Sequence, residues 1–139
     1  MSPDTKPYPR IQFGLSGRVI PKKNSKRMFK SRSTGKNFVA SSARYKTWQY
    51  HATTELLDQR NKLILAGIEL PLVGPLTLTI KFEMEGRGHE PDLSNLLEGP
   101  QDVMEALGIY TNDKQIVRII AEKTMNAHRD YCEIILSTV

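Results

Sequence analysis

Leu76-Thr-Leu-Thr-Ile-Lys-Phe-Glu-Met-Glu85 alternates without interruption. Leu76, Leu78, Ile80, Phe82 and Met84 are apolar, and the five residues between and after them are polar. A period of two places every apolar side chain on one face of a strand. With one face in a core and the other polar, the sheet is expected to be half exposed. The strand extends back to Pro71, and Gly86-Arg-Gly-His89 breaks it.

Downstream, Asp92-Leu-Ser-Asn-Leu-Leu opens a helical pattern that runs to Leu107. Pro100 lies inside it, so the helix either kinks there or starts there. Gly108 stops the pattern, and Asn112-Asp113 reads as a turn. Gln115–Thr124, with Ile116, Ile119 and Ile120, and Tyr131–Val139, with Ile134, Leu136 and Val139, read as two closing strands. Upstream, Ser41 or Ser42 is placed to cap a helix of about five turns. Its apolar positions are Tyr45, Trp48, Ala52, Leu56, Leu63 and Leu65, and Gly67 ends it. Ile11–Val19 reads as a first strand, Lys22–Asn37 as a basic loop or hairpin, and Met1–Arg10, with three prolines, as a flexible terminus. The order β, basic loop, α, β, α, β, β implies one α+β domain over residues 1–139. Its expected architecture is a mixed or antiparallel sheet with two helices packed on it.

Composition narrows the function. The 139 residues, 39% hydrophobic and 25% charged, suit a single soluble domain. No apolar run approaches the roughly 20 residues of a membrane span, and the first residues carry no signal-peptide core. The single cysteine, Cys132, excludes an intramolecular disulfide and a Cys-based zinc site, and fits a reducing cytoplasm. The net charge of +5 is distributed unevenly. Residues 1–46 carry twelve Lys and Arg against one acid, whereas residues 47–139 carry eight against fourteen. A concentrated cationic segment attracts a polyanion, and nucleic acid is the expected partner. Within residues 20–40, Lys22, Lys23, Asn24, Lys26, Arg27, Lys30, Arg32 and Lys36 are the candidate nucleic-acid contacts. Phe29 and Phe38 are placed to stack on bases or to pack the loop.

The acids gather elsewhere. Glu90, Asp92, Glu98, Asp102 and Glu105 lie between residues 90 and 105, and Asp113 follows. Glu98 and Asp102 share a face of an unbroken helix, while Asp92 and Asp113 sit at element ends. Oxygen donors without a Cys or His set suit Mg²⁺ or Mn²⁺. The same acids also fit a solvated helix face, with Asp92 as a helix cap.

Three stretches together resemble the RusA family of Holliday-junction resolvases. Val19-Ile-Pro-Lys-Lys-Asn-Ser-Lys-Arg27 is similar to the family's Pro-x-x-Asn motif before a basic loop. Pro91-Asp-Leu-Ser-Asn-Leu-Leu-Glu-Gly-Pro-Gln-Asp102 resembles its Asp-Leu-Asp-Asn-Leu-x-Lys core. Tyr110-Thr-Asn-Asp-Lys-Gln-Ile116 resembles its Asp-Asp-x-Gln-Ile segment. The resemblance implies a RusA-like fold and a homodimeric, Mg²⁺-dependent endonuclease, with Mn²⁺ as a possible substitute. It also implies symmetric nicking of a four-way DNA junction in recombination and repair. Asp92, Asp102 and Asp113 are the matching metal ligands and catalytic residues. Two positions depart from the pattern: Ser94 stands for an aspartate and Glu98 for a lysine. Glu98 is therefore a further candidate ligand, and Lys114, Lys22 or Lys23 a candidate replacement cation. The alternatives are a branched-DNA binder that does not cut and, more remotely, a ribonucleoprotein component.

The charge distribution carries its own test. Junction affinity falls with salt at a log–log slope near −0.9 per neutralised phosphate. Changing Lys22, Lys23, Lys26 and Arg27 together to Ala flattens that slope in a fluorescence-anisotropy titration. An unchanged slope places the DNA surface elsewhere.

Overall fold

The computed structural model describes residues 10–22, 26–30, 37–41, 43–86, 88 and 90–139. Among the described residues there are six strands: β1 (Arg10–Ser16), β2 (Lys26–Lys30), β3 (Asn37–Ser41), β4 (Leu76–Glu85), β5 (Ile116–Ala127) and β6 (Tyr131–Thr138). Three helices accompany them: α1 (Ala43–Leu65), α2 (Leu93–Leu96) and α3 (Glu98–Ala106). β1, β6, β4 and β5 form one mixed sheet in that order. β6 runs antiparallel to both β1 and β4, while β4 and β5 are parallel. The expected α+β domain with helices on a mixed sheet is the fold observed. The basic segment forms the antiparallel ribbon β2–β3, whose register sets Phe29 opposite Phe38.

The alternation in β4 does what its period dictates. Leu76, Leu78, Ile80, Phe82 and Met84 are buried, and they meet Ile11, Phe13 and Leu15 of β1 and Cys132, Ile134 and Leu136 of β6 in one core. Tyr45, Trp48, Ala52 and Leu56 of α1 and Val103 and Met104 of α3 close that core from one side. α1 is longer than five turns, at 23 residues, and its apolar stripe ends early: Leu65 is 88% exposed. β1 stops at Ser16 because Gly17 turns at φ 85°, although Val19 beyond it is buried.

α1 also seals one border of the sheet. The Gln59 amide accepts from Gly14 N at 2.8 Å and donates to Gly14 O at 2.7 Å. One helical turn earlier, Glu55 accepts from Ser16 N at 3.1 Å and from Ser16 Oγ at 2.9 Å. A four-residue step on a helix and a two-residue step on a strand are both about 6 Å, so the two side chains match alternate strand residues. The outer groups of β1 at Gly14 and Ser16 are thereby paired without another strand.

The first closing strand is β5, the opposite border of the sheet, and its Ile119 and Ile120 are 43% and 46% exposed. A border strand has a neighbour on one side only, so its apolar residues are covered on one flank.

Candidate active site

Parallel strands cannot be joined by a tight turn; the chain must cross back over the sheet. Residues 86–115 make that crossover between β4 and β5, and they contain the acidic cluster. The crossover is two helices, not one. The first ends at Leu96, and Leu97 caps the second. Pro100 falls in the first turn of α3, where its missing N–H has no intrahelical acceptor to lose. Gly99 beside it is buried because α3 packs tightly on α1. A Cβ there would lie 2.8 Å from the Trp48 ring. This close approach sets the start of α3, and with it Glu98 and Asp102.

Lys22 reaches that helix from 80 residues away in sequence. Its ammonium donates to Asp102 Oδ2 at 2.8 Å and lies 3.5 Å from Glu98 Oε1. The Asp102 hydrogen bond, reinforced by the charges of Asp102 and Glu98, holds Lys22 above the usual lysine range. Tyr45 of α1 adjoins this group, and burial raises its hydroxyl pKa.

Asp113 arrives from the other end of the crossover. It opens a single 3-10 turn, Asp113–Gln115, directly before β5. Asn112 caps that turn through Lys114 N at 2.8 Å. The Gln115 amide accepts from Thr111 N and Asn112 N at 2.8 and 3.0 Å. It donates to Leu72 O and Gly74 O at 2.9 and 3.1 Å. Four backbone bonds on one side chain tie the turn to the segment preceding β4. This is the physical use of the glutamine in Asn112-Asp113-Lys114-Gln115. The buried Tyr110 hydroxyl lies 3.1 Å from Asp113 Oδ1 and donates to Gln101 O at 2.8 Å. Burial, and then the Asp113 charge, push the Tyr110 pKa well up, so it stays a neutral anchor.

Asp102, Asp113 and Glu98 line one cavity of about 260 Å³ with Ser94, Leu97 and Gln101. Asp92 is not part of its lining. It is exposed at the N-cap of α2, where Asn95 Nδ2 lies 3.4 Å from Asp92 Oδ2. Ser94, two residues on, does face the cavity. Glu105 stands beside the group, and its carboxyl is held above the usual range by partial burial, then by Asp113 and Asp102. Of the expected nucleic-acid contacts, Lys22 is bound to the acids, and Lys26, Arg27 and Lys30 belong to β2. Lys23, Asn24, Arg32 and Lys36 lie outside the described residues. Tyr110 and Gln101 carry no sequence signal for their positions, because each acts through a backbone or carboxylate group brought close by the crossover; Gln115 stands in the Asn112-Asp113-Lys114-Gln115 stretch, which did not say what its amide binds.

Among the described residues, no three His, Cys, Asp or Glu side chains are close enough to hold a metal ion by themselves. Mg²⁺ commonly takes only one or two carboxylates, keeps several waters and is completed by substrate phosphate. Asp102 and Asp113, all-oxygen donors on one cavity wall with Glu98 beside them, fit such an open site.

Crossover carboxylates faced by a lysine form an arrangement suited to phosphodiester chemistry. The family described as endodeoxyribonuclease RusA matches residues 17–135, and the chain belongs to that family. No curated protein matches it. No helix among the described residues is long and apolar enough to cross a membrane.

Because Asp113 and Asp102 raise Glu105, removing one of these charges lowers it. Asp113→Asn shifts the Glu105 titration midpoint down, toward the ordinary carboxylate range, in a ¹³C NMR pH series. The sign for stability follows: the raised carboxyl disfavours the fold above its midpoint, and acidification through that midpoint relieves it. A midpoint unchanged by Asp113→Asn separates the two groups.

Proposed function

We propose that this chain is a metal-dependent, structure-selective endodeoxyribonuclease that resolves four-way and other branched DNA by paired nicks, as a homodimer, in recombination and repair. We place its action in the cytoplasm. The observation that carries the reading is the shared cavity of Asp102, Asp113 and Glu98 in a chain of the RusA endodeoxyribonuclease family. Mg²⁺, or Mn²⁺ in its place, supplies a Lewis acid for the scissile phosphate and lowers the pKa of an attacking water.

The protein's own groups do the rest. Asp102 and Asp113 would hold the ion, Glu98 would stand in for the aspartate replaced by Ser94, and Asp92, exposed at the N-cap of α2, would support the site. Tyr110 and Gln115 keep Asp113 in place. Lys22 takes over the cationic role lost at position 98. Bonded to Asp102 in the free protein, it would be placed to donate to a phosphate beside the carboxylates. The remaining basic residues of 20–40 hold phosphates, which gives affinity and orientation rather than sequence choice. A junction has two-fold symmetry, and two equivalent sites in a C2 dimer meet two strands of like polarity.

One observation favours the alternative of a binder that does not cut. Lys22 already pairs with both Asp102 and Glu98, and its single positive charge offsets part of theirs, which leaves less charge for an ion. A labelled synthetic junction, incubated with Mg²⁺ or with EDTA, separates the two. Cleavage in Mg²⁺ alone is expected. Asp102→Asn, Asp113→Asn and Glu98→Gln each lose about 10²-fold or more of the cleavage rate, on the scale of one transition-state contact. Junction affinity stays within a few-fold, since binding rests on the basic segment. Intact junctions under wild type in both Mg²⁺ and Mn²⁺ establish the binder instead.

A further inference from the structure

The two borders of the sheet are treated differently. β1 is plugged by Gln59 and Glu55, whereas β5 has no strand or side-chain plug along its outer edge among the described residues. β5 is also the longest strand, with twelve residues, and it exposes Val117, Ile119 and Ile120 by 61%, 43% and 46%. A long apolar border of this kind invites another strand.

Its sequence fits a second copy of itself. Arg118, Ile120 and Glu122 register with Thr77, Thr79 and Lys81 of β4, so they lie on the face opposite the helices. A two-fold axis perpendicular to the sheet keeps each face on its own side. Side chains alternate, so the axis must set one residue against its own copy. Centred on Ile120, it sets Arg118 against Glu122 of the second copy and Glu122 against Arg118. The helix-side residues Ile119 and Ala121 then face each other. Centred on Ile119, Arg118 meets Ile120 and Glu122 meets Ile116. Centred on Ala121, Ile120 meets Glu122. Centres at Arg118 or Glu122 set like charges together, which disfavours a cross-strand pair. Lys81 lies 3.6 Å from Glu122 within one chain, so the paired arrangement puts Glu122 between two cations. Arg118 makes no ion pair among the described residues.

We infer that β5 is the two-fold seam of the homodimer, an antiparallel β5–β5 pairing centred on Ile120 that joins two four-stranded sheets into one. The inference rests on the dimeric reading above and adds its surface and register.

The register is tested by charge reversal. In sedimentation velocity, Arg118→Glu raises the dimer dissociation constant at least tenfold, because it sets acid against acid twice. Glu122→Arg does the same. The double variant Arg118→Glu/Glu122→Arg restores the constant to within about threefold of wild type. Thermal melts confirm that each variant is folded. A second readout needs no affinity change. Opposed residues in an antiparallel pair have Cα atoms about 4.5–5.5 Å apart, within disulfide reach. Ile120→Cys therefore forms a covalent dimer on mild oxidation, Arg118→Cys does not, and the buried native Cys132 stays unreacted. A dimer that tolerates all three charge variants and fails to cross-link at position 120 overturns the seam and leaves the dimer standing. Equal cross-linking from positions 118 and 120 overturns the register. Wild type that stays monomeric at micromolar concentration, with and without a junction, overturns the dimer and the seam together.

Discussion

The parallel pairing of β4 with β5 is the constraint from which the site follows. A tight turn can join only an antiparallel neighbour. A parallel neighbour forces the chain across the sheet, and that crossing is the segment rich in acids. It carries Asp92, Glu98 and Asp102 outward on two short helices and delivers Asp113 at the head of β5. Asp102 and Asp113, eleven positions apart in sequence, meet at one cavity because the crossover leaves the sheet and returns to it beside the same strand.

Two close contacts fix the crossover. Gly99 lets α3 approach the Trp48 ring, which makes the helix start a matter of shape. Gln115 satisfies four backbone groups at once, which makes the Asp113 turn a matter of hydrogen bonding. A rigid frame around carboxylates is what positioning an ion and a phosphate needs, since a shift of about 1 Å at a reacting centre costs of order 10²-fold in rate. Lys22 supplies the complementary element: a cation close enough to Asp102 and Glu98 to offset part of their charge, on a side chain that is still partly exposed.

The fold was largely legible where hydrophobic period and burial agree. In β4, one covered face makes the alternation of residues 76–85 a direct record of the core. In β5 the apolar residues marked a strand but not its place: Ile119 and Ile120 lie on a border strand and are exposed. Pro100 announced a break, but not that Leu97 would cap the second helix; that depends on α3 meeting α1. The acids were legible as a cluster, with Asp102 and Asp113 following a family pattern in type and spacing and Glu98 standing where that pattern has a lysine. Their geometry was not. Asp92 matches the pattern yet stands outside the cavity lining, and Lys22 finds Asp102 across 80 residues, a distance that charge counting cannot bridge.

The central claim is that Asp102 and Asp113 jointly hold a divalent ion. Anomalous diffraction from crystals soaked in Mn²⁺ tests it directly. The account predicts a single strong peak within coordination distance of both the Asp102 and Asp113 carboxylates, with the Lys22 ammonium withdrawn from Asp102. A peak held by Asp92 and Glu90 away from the cavity, or no peak while Lys22 keeps its bond to Asp102, contradicts it.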